Sequence, residues 1–246
     1  MAASDQGCDL LVFSAHPDDA ELCCGGLLLV ARANGWKTGV VDLTRGESGT
    51  LGTPETRLRE ARRASDVLGL SVRRNLGLPD GRVRDSDANR KLIVETVREL
   101  KPQVLVGPPY EDHHPDHIAT AELLQRSLFL CGVRKYAPGS PPWRPKALLR
   151  HFGSRCVAPQ LVVDISDVFE QRMKAVRAYE SQFGVDQPED FPVRLASAKF
   201  LKSIEATLAY YGSLIGVAYG EPFTSDVPLP VRDLVGLFSN EPWKDR

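Results

Sequence analysis

The feature that most limits how this chain can fold is a rhythm. Four short apolar runs, at residues 10–15, 38–43, 72–76 and 103–107, alternate through the first half with segments of helical period at 20–34, 54–68 and 89–100. Runs this short and rich in Val and Leu read as buried strands, and strand–helix alternation feeds a parallel sheet with helices on its faces. In the segment 54–68, Arg and Glu occupy one face while Ala61, Ala64 and Leu68 share the other, as in a helix lying on a sheet. Asn34-Gly35 and Leu68-Gly69 supply stops, because glycine accepts the left-handed backbone that ends a helix.

The expected architecture is therefore α/β: a Rossmann-like, doubly wound, mostly parallel sheet in a single domain spanning 1–246. A further helix is expected after Pro115, in "DHIATAELLQRSLFL", followed by the loop "YAPGSPPWRP", where proline and glycine prevent regular structure. Strand character returns at 147–152 and 161–165 and helical character at 168–182 and 194–211, while the tail "EPFTSDVPLPVRDLVG" reads as irregular.

Composition narrows the partners. Thirty-one Lys+Arg against 32 Asp+Glu leave a formal charge of -1 with no basic stripe, which argues against nucleic acid. The start "MAASDQGCD" lacks the basic and apolar regions of a secretory leader, and no stretch approaches the roughly 18 apolar residues of a membrane span. The expectation is a cytoplasmic protein without a membrane partner. The five cysteines form no CxxC pair, and Cys23-Cys24 lie in an apolar run, so reduced and mostly buried thiols are expected rather than a disulfide framework.

Two stretches carry the chemistry. "FSAHPDDAEL" (13–22) and "YEDHHPDH" (110–117) follow the first and fourth apolar runs and hold four of the five histidines. Histidine clustered with carboxylate has the composition of a metal site. In a doubly wound sheet the first strand commonly lies beside the fourth, and ligands bind in the crevice beyond their carboxyl ends. The two loops would then face each other. His16 and Asp19, on a turn entering a helix, can share one focus while Asp18 turns elsewhere. A catalytic zinc takes three protein ligands and keeps one position open, and His16, Asp19 and His117 make such a set for one ion per chain. Iron or cobalt would also suit these nitrogen and oxygen donors.

Asp18, beside the metal but not on it, is the candidate general base for a water that attacks a carbonyl. If a carboxylate holds the second nitrogen of His114, and Asp116 is nearest in sequence, the resulting imidazolium would stabilise an oxyanion and protonate a leaving amine. The alternatives have less support. A dehydrogenase would need GxGxxG where "HPDDAE" stands, and a noncatalytic metal-binding module would have no use for Asp18. Gly25-Gly26 reads as close helix packing, and His151, alone on a strand, as structural.

"AHPDDAE" at 15–21 and "HPDH" at 114–117 resemble the paired signatures of the LmbE-like, PIG-L zinc deacetylase family, which removes acetyl groups from N-acetylglucosamine conjugates. "YEDHHPDH", "RKYAPGSP" and "AYESQF" more closely resemble the branch of that family that acts on N-acetylglucosaminyl malate in bacillithiol biosynthesis. The likeness runs from residue 10 to about residue 223. It implies a Rossmann-like fold, zinc on His16, Asp19 and His117, the base on Asp18, a charged His114 partnered by Asp116, and a homo-oligomer, often a hexamer. It also implies that Arg57, in "GTPETRLREA", lies near the substrate. A guanidinium suits the carboxylates of malate, with Arg144 and His113 as further candidates. Glu47, in "TRGESGT", fits either sugar hydroxyls or a loop cap. Two positions depart from the branch, His113 where relatives can carry arginine and Phe200 where a tyrosine stands near the cavity mouth. Other conjugates are the alternative substrates: a mycothiol precursor, a phosphatidylinositol glycan or a chitooligosaccharide.

Overall fold

A computed structural model describes residues 7–152, 158–184 and 198–239. The first half alternates as expected: β1 (Leu10–Ser14), α1 (Asp19–Ala33), β2 (Thr38–Asp42), α2 (Pro54–Leu68), β3 (Val72–Asn75), α3 (Asp87–Leu100), β4 (Val104–Gly107) and α4 (Pro115–Cys131). Local chemistry sets the helix boundaries. The Thr53 side chain accepts from the Thr56 amide ahead of Pro54, and Gly69 closes α2 at φ 65; the Ser86 side chain accepts from the Asn89 amide at the start of α3. These groups satisfy amides that the first turn of a helix leaves unpaired.

The second half contributes β5 (Ala147–His151), β6 (Leu161–Asp164), α5 (Phe169–Arg177), α6 (Glu180–Phe183), α7 (Ala198–Ile215), β7 (Gly220–Ser225) and α8 (Leu234–Ser239). The strand order is β3-β2-β1-β4-β5-β7-β6. The first five strands pair in parallel, and β7 runs antiparallel between β5 and β6. The fold is thus a single-domain α/β arrangement around a mostly parallel, mixed sheet. Alternate residues of β1 feed the two faces. Leu11 and Phe13 pack with Ile93, Val97 and Leu124, whereas Leu10 and Val12 pack with Cys24, Leu28 and Ala175.

Two expectations are corrected. The segment 168–182 is not one helix: α5 ends at Arg177, and Tyr179 turns fully into the core to place its hydroxyl 3.3 Å from Glu21. The start of the 194–211 segment lies outside the described residues, where α7 begins at Ala198. The tail is not wholly irregular, since it supplies β7 and α8. Pro222 masked the strand, yet it pairs with Val162 one residue beyond the last β5 partner, His151↔Phe223. Its missing N–H faces the side on which the ladder has ended. The four described cysteines, Cys8, Cys23, Cys24 and Cys131, are free thiols. No helix among the described residues is long and apolar enough to cross a membrane.

Candidate active site

Because β1 pairs with β4 in parallel, the loops that follow them leave the same edge of the sheet. Asp19 Oδ2 lies between two imidazoles, 3.5 Å from His16 Nδ1 and 3.3 Å from His117 Nε2. Metal–ligand bonds of 2.0–2.1 Å in a tetrahedron place neighbouring donors roughly 3.3 Å apart, so each imidazole stands at about ligand spacing from the Asp19 oxygen. The outer nitrogens face carboxylates as well. His16 Nε2 is 3.0 Å from Asp80 Oδ1 and 3.5 Å from Asp116 Oδ2, and His117 Nδ1 is 3.3 Å from Asp112 Oδ2. A carboxylate on the far nitrogen is the usual support for a ligating histidine. Ring nitrogens of His16, His114 and His117 also converge within 4.8 Å of one another.

The electrostatics favour a cation. Burial works against charge on His16, but Asp116, Asp19 and Asp80 outweigh it and push its pKa up to about 12. Burial likewise opposes charge on His117, which Asp19 and Asp112 hold up at about 10. Two imidazolium protons thus occupy a nest of carboxylates that a divalent ion would neutralise on displacing them.

Asp18 occupies the N-cap position of α1 at φ 117, and its side chain makes no capping hydrogen bond. A non-glycine residue in this region is strained, and such strain persists only where its surroundings impose it. Here the clamp is Arg57. Its Nη2 lies 3.1 Å from Asp18 Oδ2 and also donates to the Pro17 carbonyl. Burial raises the Asp18 pKa to about 7 against the opposing pull of Arg57, a value suited to accepting a proton near neutrality.

Several expected roles change. Arg57 lines the cavity, but its guanidinium is almost fully buried against Asp18 rather than offered to a substrate carboxylate. His114 is not paired with the Asp116 carboxylate. Its Nδ1 accepts from the Asp116 amide at 3.2 Å, while the Asp116 carboxylate accepts from the amides of Gly81 and Val83. An imidazolium would set N–H against N–H at that contact, and burial together with His16 and His117 lowers the His114 pKa. His114 is therefore a neutral ring with its proton on Nε2. Glu47 joins loops instead of lining the cavity, accepting from the amides of Arg45 and Asp80. Arg144 lies elsewhere, 5.5 Å over the Phe129 ring. His113 does line the cavity, with its side chain 68% exposed and 2.9 Å from Asp112.

These groups form one side of a cavity of about 570 Å³. The second half of the chain supplies the more apolar part of the lining, Phe152 after β5, Phe200, Ile204 and Leu208 on α7, and Pro222 on β7, with Ser203 and Thr207 of α7 among them.

Residues 11–128 match the family model described as GlcNAc-PI de-N-acetylase. A conserved protein from Thermus thermophilus is 41% identical and superposes at a TM-score of 0.84, over 92% of this chain and 98% of its own. The chain belongs to the PIG-L, LmbE-like deacetylase family. The diacetylchitobiose deacetylase of Thermococcus kodakarensis is 29% identical over 86% of this chain and 80% of its own. A Bacillus subtilis protein named as a probable N-acetyl-alpha-D-glucosaminyl L-malate deacetylase is 29% identical over 70% and 82%. Against the 1D-myo-inositol 2-acetamido-2-deoxy-alpha-D-glucopyranoside deacetylase of Salinispora arenicola, 30% identical, the chain spans about half of that enzyme's length.

The deacetylase is accordingly a hydrolase of N-acetyl amides in a family of N-acetylglucosaminyl-conjugate deacetylases. Sequence reasoning missed two of its supporting carboxylates. Asp112 was in view, two residues before His114, but nothing in "YEDHHPDH" distinguishes a histidine's partner from a solvated acid. Asp80 sits in "LPDGR", which reads as an ordinary turn. Its role emerges only when the loop after β3 folds over His16.

Proposed function

We propose that this deacetylase removes the acetyl group from an N-acetylglucosaminyl conjugate at a zinc ion held by His16, Asp19 and His117, with iron and cobalt as acceptable substitutes. The observation that carries this reading is Asp19 Oδ2 between the two imidazoles, with the Asp18 carboxylate, clamped by Arg57, beside it in the cavity. When bound, the ion would polarise the amide carbonyl and acidify water. Asp18 takes the proton of the attacking water and returns it to the departing glucosamine nitrogen, which a pKa near 7 permits in both directions. His114 offers its Nε2–H to the developing oxyanion. Arg57 holds Asp18 in its strained pose and so serves the base rather than the substrate.

Within that class we propose N-acetylglucosaminyl malate as the substrate and the cytoplasm as the place of action. Support comes from the resemblance around "YEDHHPDH" and from the Bacillus subtilis relative. With Arg57 committed to Asp18, His113 at the rim is the candidate to meet a malate carboxylate. Phe152, Phe200 and Tyr211 in the cavity wall favour a second reading, a chitooligosaccharide whose next sugar stacks on them. Acetate release from N-acetylglucosaminyl malate, diacetylchitobiose and free N-acetylglucosamine separates these readings. The malate conjugate should show the highest specificity constant; equal constants for the malate conjugate and the free sugar would reject it. A homo-oligomer, up to a hexamer, completes the proposal. It is supported by Val227, Leu229, Val231, Leu234 and Val235, exposed at 45–76% along the carboxyl-terminal segment. Sedimentation of the isolated protein as a monomer would exclude it.

A further inference from the structure

An ion pair with almost no solvent exposure adjoins the same cavity, whose lining includes Arg172. Arg172 on α5 is 0% exposed and Glu221 on β7 is 1% exposed, with Arg172 Nε 3.2 Å from Glu221 Oε1. Their partners are interior backbone groups of α1. Glu221 Oε1 accepts from the Gly26 amide at 2.8 Å and Oε2 from the Leu27 amide at 2.7 Å. In a regular helix those amides donate to the carbonyls four residues earlier, Leu22 and Cys23. The Leu22 carbonyl, in turn, accepts from Arg172 Nη2. The pair thus holds backbone groups at both ends of one turn of α1, the Leu22 carbonyl and the Gly26 and Leu27 amides.

The sequence makes room for it. A Cβ on Gly26 would come within 2.5 Å of Ile165 Cγ2 and 2.9 Å of the Glu221 carboxyl, and a Cβ on Gly25 within 2.9 Å of Arg172 Cγ. Gly25-Gly26 is therefore close packing, against the charge pair as well as against Ile165. A buried ion pair is weak support for stability, because well-packed apolar residues of like volume often serve as well. Its position suggests a different role. The turn it grips adjoins the one that carries Asp18 and Asp19, with Leu22 and Cys23 on the cavity wall.

We propose that the Arg172–Glu221 pair is a positioning device that fixes the first turn of α1, and with it Asp18 and Asp19, against α5 and β7. This rests on the reading of Asp19 as a metal ligand. Pro222, next to Glu221, belongs to the apolar side of the cavity, so the pair joins the wall that meets the substrate to the turn that holds the ion. Both residues act through the backbone of α1.

Cobalt-loaded full-length protein tests this, since the visible absorption of cobalt reports ligand geometry apart from turnover. Glu221→Gln keeps the side chain's size and discharges it. The expected result is a shifted or weakened cobalt spectrum, cobalt affinity lower by roughly tenfold or more, and kcat for acetate release reduced by a similar factor with KM changed by less than about threefold. Arg172→Met combined with Glu221→Gln removes both charges, decides the matter if the single variant does not fold, and should show the same changes. A folded variant with the wild-type cobalt spectrum and a kcat within about twofold of wild type would overturn the proposal, whatever its melting temperature. Wild-type protein that takes up no cobalt would bring down the Asp19 assignment and the positioning role together. Wild type that binds cobalt and releases acetate, beside indifferent variants, removes the positioning role alone.

Discussion

The two sides of the cavity are built from opposite materials. One side gathers His16, Asp18, Asp19, Asp80, His114 and His117 on the loops that leave β1, β3 and β4 and on the first turns of α1 and α4. The other sets Phe152, Phe200, Ile204, Leu208 and Pro222 opposite them. On the loop side, position follows from the sheet: parallel neighbours deliver their loops to one edge, and each polar group is held by another. On the far side, position depends on how α7 and β7, well past the middle of the chain, return to the sheet. The contrast assigns bond breaking to the first side and choice of conjugate to the second.

The largest effects should come from the loop side. Asp18→Asn should lower kcat by roughly 10²–10⁴ while the protein keeps its metal, because the amide cannot take a proton. Asp19→Asn should lose the metal itself, and elemental analysis of the two variants beside acetate-release assays distinguishes them. Equal metal content and normal turnover in both would erase the division between these neighbours.

One step outward, Asp112→Asn should weaken metal binding by roughly 10–100-fold through the loosened His117 ring, read by competition with a chromophoric chelator. The apolar side should respond differently. Phe200→Ala should raise KM for a bulky conjugate by roughly tenfold, in the range of lost apolar contact, and leave kcat on free N-acetylglucosamine unchanged. A fall in kcat on the free sugar would mean that the two sides are not separable in this way. The smallest effect belongs to Arg144→Ala, whose guanidinium lies over Phe129 and outside the cavity. Its kinetic constants should stay within about twofold and its stability within about 1 kcal/mol, the size of an exposed cation–π contact.

The same contrast explains what the sequence made legible. β1, β2 and β4 are short apolar runs whose neighbours in space can be named from topology rules alone, so the meeting of His16 with His117 could be expected before any coordinates. Arg57 could not be placed in that way. On a helical wheel it shares the face of Ala61, Ala64 and Leu68, so its burial follows the period of α2, whereas its partner Asp18 comes from a distant loop that the period does not reveal. β7 was hidden because Pro222 reads as a breaker, and only its offset from β5 makes proline harmless there. The partnership of His114 with Asp116 was assumed from adjacency. Three-dimensional competition redirected it, since the amides of Gly81 and Val83 offer the Asp116 carboxylate two donors at once.

Metal dependence is the most direct test of how the loop side works. Folded protein stripped by a chelator should release no acetate from an N-acetylglucosaminyl conjugate, and one equivalent of zinc per chain should restore the full rate. Undiminished acetate release from metal-free protein would contradict the account.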